Sequence, residues 1–252
     1  MDVNALIQRA AGLHQQGQLD QAAALYEQIL QQQPGNAATL RLFGALRGQQ
    51  GRNAEALRLT QAALALQPGD FGTLANYASV LMATGKPEDA LVQLDKALAI
   101  KPDFFEALYN RGVTLTQLKR FAESVASYDK ALSLRPNSPH VFYNRGIAQA
   151  ALGWWKDAVA SYDKAITLHP KFSAAFDNRG NALRAMGQAQ QALESYHKAL
   201  ALAPGDFRAL YNRAILLSDM GRVEEAAAGA AAAVRGRAAQ LRHSAAAAGT
   251  VR

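Results

Sequence analysis

Five asparagines stand at intervals of 34 residues along this 252-residue chain, and each side chain can form several hydrogen bonds. They are Asn76, Asn110, Asn144, Asn178 and Asn212. A carboxamide carries two donor hydrogens and an acceptor oxygen, so one asparagine can bond both the N–H and the C=O of an extended peptide. Asparagine is also a poor residue for a helix interior, because its amide competes for backbone hydrogen bonds. Five asparagines in one register therefore need a reason, and contact with a peptide backbone is one.

Most of the prolines are also spaced 34 residues apart, which indicates that the chain is built from repeats. Six of the eight prolines follow it: Pro34, Pro68, Pro102, Pro136, Pro170 and Pro204. In the segment 105–138, Leu108, Gly112 and Leu115 recur at i, i+4 and i+7, which is typical of one face of a helix. A second amphipathic stretch follows and stops at Pro136, which cannot continue a helix. Each repeat is thus predicted to be a helix, a turn and a second helix.

Small residues mark two further positions of every repeat. Glycine recurs inside the first helix although it costs about 1 kcal/mol there relative to alanine, so a neighbouring helix is predicted to lie very close. These close-approach glycines are Gly44, Gly112, Gly146 and Gly180. A second set lies in the turns, where a left-handed backbone favours glycine. They are Gly17, Gly51, Gly85, Gly153, Gly187 and Gly221.

The chain resembles the tetratricopeptide repeat family over residues 3–235. The motif Ala107-Leu-Tyr-Asn-Arg-Gly and the run Ala126-Ser-Tyr-Asp-Lys-Ala-Leu before Pro136 carry the resemblance. It implies an all-α, right-handed superhelical solenoid of about seven repeats, whose first helices line a concave groove. The predicted repeats are 3–36, 37–70, 71–104, 105–138, 139–172, 173–206 and an incomplete 207–235. Thr60 and Ala230 depart from the pattern, because the bulky residue of the second helix is missing there.

By the same resemblance, the five asparagines face the groove, as in the repeat arrays of O-linked N-acetylglucosamine transferases. Tyr109, Tyr143 and Tyr211 stand beside them and can offer a rigid apolar face with a hydroxyl. The alternative is that the asparagines bond between adjacent repeats and that the tyrosines pack between first helices. The arginines that follow, at 111, 145, 179 and 213, are interpreted as mainly structural.

The sequence therefore predicts a non-enzymatic scaffold that binds an extended peptide or protein segment. The alternative is the substrate-recruiting array of an O-linked N-acetylglucosamine transferase-like enzyme whose catalytic domain is absent from this chain. A co-chaperone of the carboxylate-clamp type is disfavoured, because tyrosine, valine or isoleucine flanks most of the asparagines. No metal-ligand spacing, phosphate loop or nucleophile elbow occurs, so no metal, cofactor or catalytic residue is predicted.

Charge and composition bear on the remaining partners and on the compartment. The net charge is +7, but Lys and Arg are interleaved with Asp and Glu in the repeats, which disfavours nucleic acid. There is no cysteine, hence no disulfide framework. No apolar run approaches the length of a membrane span, and the acidic N-terminal start does not resemble a signal peptide. These features predict a cytoplasmic protein without a membrane partner, and its oligomeric state cannot be read.

The last residues change in character. From Ala226 the chain is rich in alanine, glycine and arginine, and the tyrosines, prolines and acids of the repeats are lost. One interpretation is a degenerate capping helix, which a solenoid needs at an open end. The other is a shifted reading frame beginning near Glu225, and the lack of a polar outer face favours it. The segment 236–252 is accordingly separated from the array as an Ala/Arg-rich tail.

Overall fold

The computed structural model describes residues 2–231 and 234, and all regular structure in this part of the chain is α-helical. The fold is a tetratricopeptide-type solenoid of helix–turn–helix repeats, as the 34-residue interval predicts. The odd-numbered helices are α1 Val3–Gln15, α3 Ala37–Gln49, α5 Phe71–Ala83, α7 Phe105–Gln117, α9 Pro139–Ala151, α11 Ser173–Ala185 and α13 Phe207–Asp219. The even-numbered helices are α2 Leu19–Gln32, α4 Asn53–Leu66, α6 Pro87–Ile100, α8 Phe121–Leu134, α10 Trp155–Leu168 and α12 Ala189–Leu202. Helical backbone resumes at 223–231, and the predicted tail 236–252 lies outside the described residues.

The chain divides into two compact units, residues 1–134 and 135–252. In each unit an odd-numbered helix packs against the even-numbered helix that follows it, and the pairs stack on one another. Successive odd-numbered helices also contact each other, as α3 contacts α5 and α11 contacts α13. Within each unit, successive even-numbered helices make no such contact among the described residues. Within each unit the odd-numbered helices thus form the more closely spaced layer, called here the first-helix layer.

Glycine and short polar residues set the limits of the helices. Gly17, Gly51, Gly85, Gly153, Gly187 and Gly221 all have φ between 74° and 76°, which confirms the predicted left-handed turns. In the turn between α7 and α8, Lys119 takes the position that glycine holds in these other turns, and its φ is 58°. At the N-termini of α3 and α5, the Asn36 and Asp70 side chains accept from the backbone N–H three residues on, at 3.0 Å in both cases.

The close-approach glycines are matched to buried tyrosines of the second helix in the same repeat. A Cβ added to Gly146 would lie 2.6 Å from Cε1 of Tyr162, and one added to Gly180 would lie 2.5 Å from Cε1 of Tyr196. Both tyrosines are at most 1% exposed. The predicted close approach is therefore confirmed, and its cause is the ring that fills the space left by the missing side chain.

Candidate functional site

The asparagine row, meaning Asn76, Asn110, Asn144, Asn178 and Asn212, lies on the first-helix layer of the two units. Its members occupy equivalent positions on α5 and α7 in the first unit and on α9, α11 and α13 in the second. All five are half-buried, so part of each side chain is exposed to solvent. In each unit, the members of the row are thus accessible on the layer where neighbouring repeats approach each other most closely.

In the first unit, Asn110 is hydrogen-bonded to the preceding repeat. Its Nδ2 donates to Oγ of Ser79 on α5 at 3.1 Å. Ser79 Oγ in turn donates to the backbone carbonyl of Ala75 at 3.1 Å. The serine hydroxyl therefore links the amide of one repeat to the backbone of the one before it.

In the second unit the partner lies 35 residues before the asparagine. Nδ2 of Asn178 donates to the hydroxyl of Tyr143 at 3.0 Å, and Nδ2 of Asn212 donates to Oδ1 of Asp177 at 3.0 Å. Tyr143 and Asp177 occupy the same repeat position, immediately before the asparagine of their own helix. Hydrogen bonding between repeats, the alternative interpretation of the row, is thus confirmed for Asn110, Asn178 and Asn212.

These inter-repeat bonds leave much of each amide unused. A carboxamide has two N–H donors and an acceptor oxygen, and only one donor is engaged in each case. Among the described residues, Oδ1 of Asn110, Asn178 and Asn212 accepts no hydrogen bond. The inter-repeat bond fixes the orientation of the amide, and the half-buried side chain keeps an acceptor for a partner from outside.

The three tyrosines beside the row differ in their surroundings. The ring of Tyr143 packs on Phe172, with the centroids 4.7 Å apart, and burial raises the pKa of its hydroxyl. Tyr109 is half-buried and stacks parallel to Phe105, with the centroids 6.4 Å apart. Tyr211 on α13 is 58% exposed. Tyr143 therefore has a packing role between helices, whereas Tyr211 presents its ring to solvent.

Asp177 is the one member of this neighbourhood with a buried carboxylate. It is 3% exposed and takes the position that tyrosine holds in α7, α9 and α13. Burial raises the pKa of its carboxyl, and the hydrogen bond from Asn212 partly offsets that effect. The site in the second unit thus contains a buried acid that is held by an amide donor.

The arginines that follow the asparagines connect second helices of successive repeats. Nε of Arg179 on α11 pairs with Asp163 on α10 at 2.6 Å, and its Nη1 donates to Ser195 on α12 at 2.7 Å. Arg111 makes the equivalent bonds to Asp95 and Ser127, both at 2.7 Å. The structural interpretation of these two arginines is confirmed.

Sequence reasoning did not pair Arg179 with Asp163, whose carboxylate is half exposed. The signal that sequence reasoning missed is the spacing, because the aspartate precedes the arginine by 16 residues and the serine follows it by 16. The last repeat loses both partners, since His197 and Gly229 stand in those places beside Arg213.

A small cavity adjoins the row in the first unit. Its volume is about 250 Å³, and Asn76 is one of its lining residues. Asn53, at the start of α4, and Ser79 on α5 lie beside it. The sequence did not predict this cavity, because it depends on how α3 and α5 pack rather than on a repeated position.

No group of three or more His, Asp or Glu side chains suited to holding a metal ion occurs among residues 2–231 and 234. Within the same residues, no helix is long and apolar enough to cross a membrane.

Comparison with known families agrees with the geometry. Four tetratricopeptide repeat models match the chain, at residues 3–46, at 78–139 and 120–171, at 161–194 and at 180–221. The chain belongs to the tetratricopeptide repeat family. Repeats of this family are typically non-catalytic scaffolds for protein interaction, and stacked repeats of this kind use extended concave surfaces for binding.

Solved structures of tetratricopeptide repeat proteins share the fold. A tetratricopeptide repeat protein from Parabacteroides merdae is 22% identical with a TM-score of 0.68, and the match covers 92% of each chain. PilW, described as a type IV pilus biogenesis factor, is 22% identical with a TM-score of 0.74, over 80% of this chain and 94% of PilW. YrrB, described as having an unusual peptide-binding site, is 20% identical with a TM-score of 0.64, over 73% of this chain and 95% of YrrB. A search of curated sequences found no significant match.

Proposed function

We propose that this tetratricopeptide repeat protein binds an extended peptide or protein segment on the first-helix layer of each unit, through the members of the asparagine row in that unit. The observation that carries the proposal is that inter-repeat bonds orient the amides of Asn110, Asn178 and Asn212 and leave their oxygens without a partner. An extended peptide exposes N–H and C=O groups that need such partners when they lose water. The asparagine row supplies such hydrogen-bond partners at a regular spacing, one asparagine in each repeat.

The proposed contact is to the peptide backbone, so it holds partners of different sequence. A carboxamide oxygen accepts from a backbone N–H, and the second amide hydrogen donates to a backbone carbonyl. Tyr109, Tyr143 and Tyr211 add apolar surface beside the row, and Tyr211, which is 58% exposed, has the most area to offer. YrrB, which shares this fold, is described as having an unusual peptide-binding site, and this supports a peptide as the ligand.

The proposal is tested with peptides selected from a random displayed library on the immobilised full chain. Their affinities are measured by fluorescence anisotropy for the natural protein and for the double variant Asn144→Ala with Asn178→Ala. Because each change leaves peptide groups unpaired at a cost of about 1–3 kcal/mol, the pair should weaken binding by about 2–6 kcal/mol. The loss should be similar for peptides of unrelated sequence.

A different outcome would place the binding surface elsewhere. If the double variant binds all selected peptides as tightly as the natural protein, the row does not contact them. A loss confined to peptides with one particular side chain would also contradict a backbone contact. Circular dichroism at the assay temperature shows whether the double variant is folded.

A further inference from the structure

The cavity beside Asn76 has a distinct chemical lining. Its lining contains the amides of Gln49, Asn53 and Asn76, the hydroxyl of Ser79, and the small or apolar residues Ala45, Gly48, Val80 and Ala83. The Gln49 oxygen is already hydrogen-bonded to His14 at 2.9 Å. None of these residues is charged. Among the described residues, the side chains of Asn53 and Asn76 form no hydrogen bond. Two unpaired amides therefore face one small neutral space.

The side chain of Asn76 lacks an inter-repeat hydrogen bond because of the residue that stands one repeat earlier. Asn178 and Asn212 each donate to the side chain found 35 residues before them, which is Tyr143 or Asp177. For Asn76 that residue is Arg41, which cannot accept a hydrogen bond and pairs with Asp70 at 3.5 Å. Asn76 thus belongs to the row by position but lacks the inter-repeat bond found elsewhere in it.

We propose that this cavity receives one short, uncharged polar side chain of the peptide bound on the first-helix layer, with threonine as the best match. The proposal rests on the proposed function and specifies its selectivity. The unpaired amides of Asn53 and Asn76 can bond a hydroxyl, and the alanine, glycine and valine residues of the lining can pack against a methyl group. Threonine carries both groups on one carbon.

Size and charge argue against other occupants. A volume of about 250 Å³ lies below the roughly 300–1,000 Å³ of sites for small molecules and cofactors, so a single side chain is the fitting occupant. A charged side chain would lose water without gaining an opposite charge, because the lining is neutral. Lysine, arginine, aspartate and glutamate are therefore disfavoured at this position of the peptide.

Gly48 offers a variant that alters the lining of the cavity without harming the fold. A Cβ added there would lie 3.4 Å from Cγ2 of Val80, close to ordinary contact, and both residues line the cavity. Gly12 in α1 is the matched control, since a Cβ added to it meets no atom within 4 Å. Asn76→Ala is the complementary variant, because it enlarges the cavity and removes one of its unpaired amides.

The experiment measures the affinity of the full chain for a host peptide taken from the library selection. Each position of that peptide is replaced in turn by threonine, valine, lysine and phenylalanine. At one position of the peptide, the variant with threonine should bind more tightly than the other three, both to the natural protein and to Gly12→Ala. Gly48→Ala and Asn76→Ala should each lose about tenfold or more at that position, the usual effect of a misfit as small as one methylene.

The outcomes separate this inference from the proposed function. If selected peptides need Asn110, which lies in the same unit as the cavity, but bind Gly48→Ala and Asn76→Ala without loss, the cavity proposal is overturned and the proposed function stands. A preference for lysine or phenylalanine at the affected position also overturns it. If no peptide is selected, or if the Asn144/Asn178 double variant binds normally, the proposed function fails and the cavity proposal with it.

Discussion

The side-chain amide of Asn178 donates a 3.0 Å hydrogen bond to the hydroxyl of Tyr143, which lies one repeat earlier on α9. Both residues were predicted to contact a peptide, and the structure joins them to each other. The bond holds the asparagine in one orientation while its oxygen keeps no partner among the described residues. A row of this kind can connect repeats and still present acceptors to a partner, so the two interpretations of the asparagines are compatible.

Removing the tyrosine hydroxyl should weaken this connection without disturbing the packing. Tyr143→Phe keeps the ring against Phe172 and removes the acceptor, so the free energy of unfolding should fall by about 0.5–1.5 kcal/mol. Tyr211→Phe is the control, since that ring is 58% exposed, and its effect should stay within about 0.5 kcal/mol. Urea unfolding followed by circular dichroism measures both. Equal losses in the two variants would show that the inter-repeat bond adds no stability.

The arginine that connects two second helices should matter more than an exposed ion pair. Arg179→Met keeps much of the apolar stem but removes the bonds to Asp163 and to Ser195, which is 1% exposed. We expect a loss of about 1–2 kcal/mol, a modest value because the aspartate is half exposed. Arg120→Met, which breaks an exposed pair with Glu123, should leave stability nearly unchanged. A larger loss for Arg120→Met than for Arg179→Met, measured by urea unfolding, would contradict this account.

The glycines of the repeats should differ sharply in their tolerance of alanine. Gly146→Ala would place a Cβ 2.6 Å from Cε1 of Tyr162, so overpacking of about 1–3 kcal/mol should outweigh the helix preference of alanine. Gly48→Ala meets Val80 only at 3.4 Å, and the gain of about 1 kcal/mol in helix propensity should keep it at least as stable as the natural chain. Thermal unfolding of both variants measures whether Gly146→Ala lowers the stability of the chain while Gly48→Ala does not. A stabilised Gly146→Ala would show that the close approach is absent.

Sequence periodicity was enough to predict the helices, the turns and the core, because each depends on a residue type that recurs in register. Gly146 indicated the close approach that Tyr162 occupies, and Gly153 indicated the left-handed turn after α9. The site was less predictable. The bond between Asn178 and Tyr143 depends on how adjacent repeats are packed, and the partner of Asn110 changes to Ser79 because Ala75 has no acceptor in its side chain.

The cavity beside Asn76 shows a second limit of the sequence. It lies next to α3 and α5 and depends on Gly48, which follows no 34-residue interval. The 34-residue interval predicts features that depend on recurring residues, whereas this cavity depends on residues that do not recur at that interval. The amide of Asn76 remains unpaired because Arg41 stands where Tyr143 or Asp177 stands in later repeats.

Asp177 predicts a dependence of stability on pH. Burial raises the pKa of its carboxyl, so the folded chain holds a proton more tightly than the unfolded chain does. Stability therefore falls as the pH rises from the unfolded pKa, near 3.9, through the raised folded pKa, and the cost persists above it. Asp177→Asn should be more stable than the natural protein at neutral pH, and this advantage should shrink as the pH falls through that range. Urea unfolding at several pH values measures it, and an advantage independent of pH would exclude a role for the charge.

The central claim is that the asparagine row contacts a bound peptide, and one pair of variants tests it most directly. Asn178→Ala and Tyr143→Phe remove the same inter-repeat hydrogen bond, but only the first removes the amide proposed to bind the peptide. Affinity for a library-selected peptide is measured for both by fluorescence anisotropy. We predict that Asn178→Ala weakens binding by about 1–3 kcal/mol and that Tyr143→Phe, which removes the orienting bond but leaves the amide in place, weakens binding by less than half as much. Equal effects of the two variants on affinity would show that Asn178 only connects repeats, and would contradict the claim.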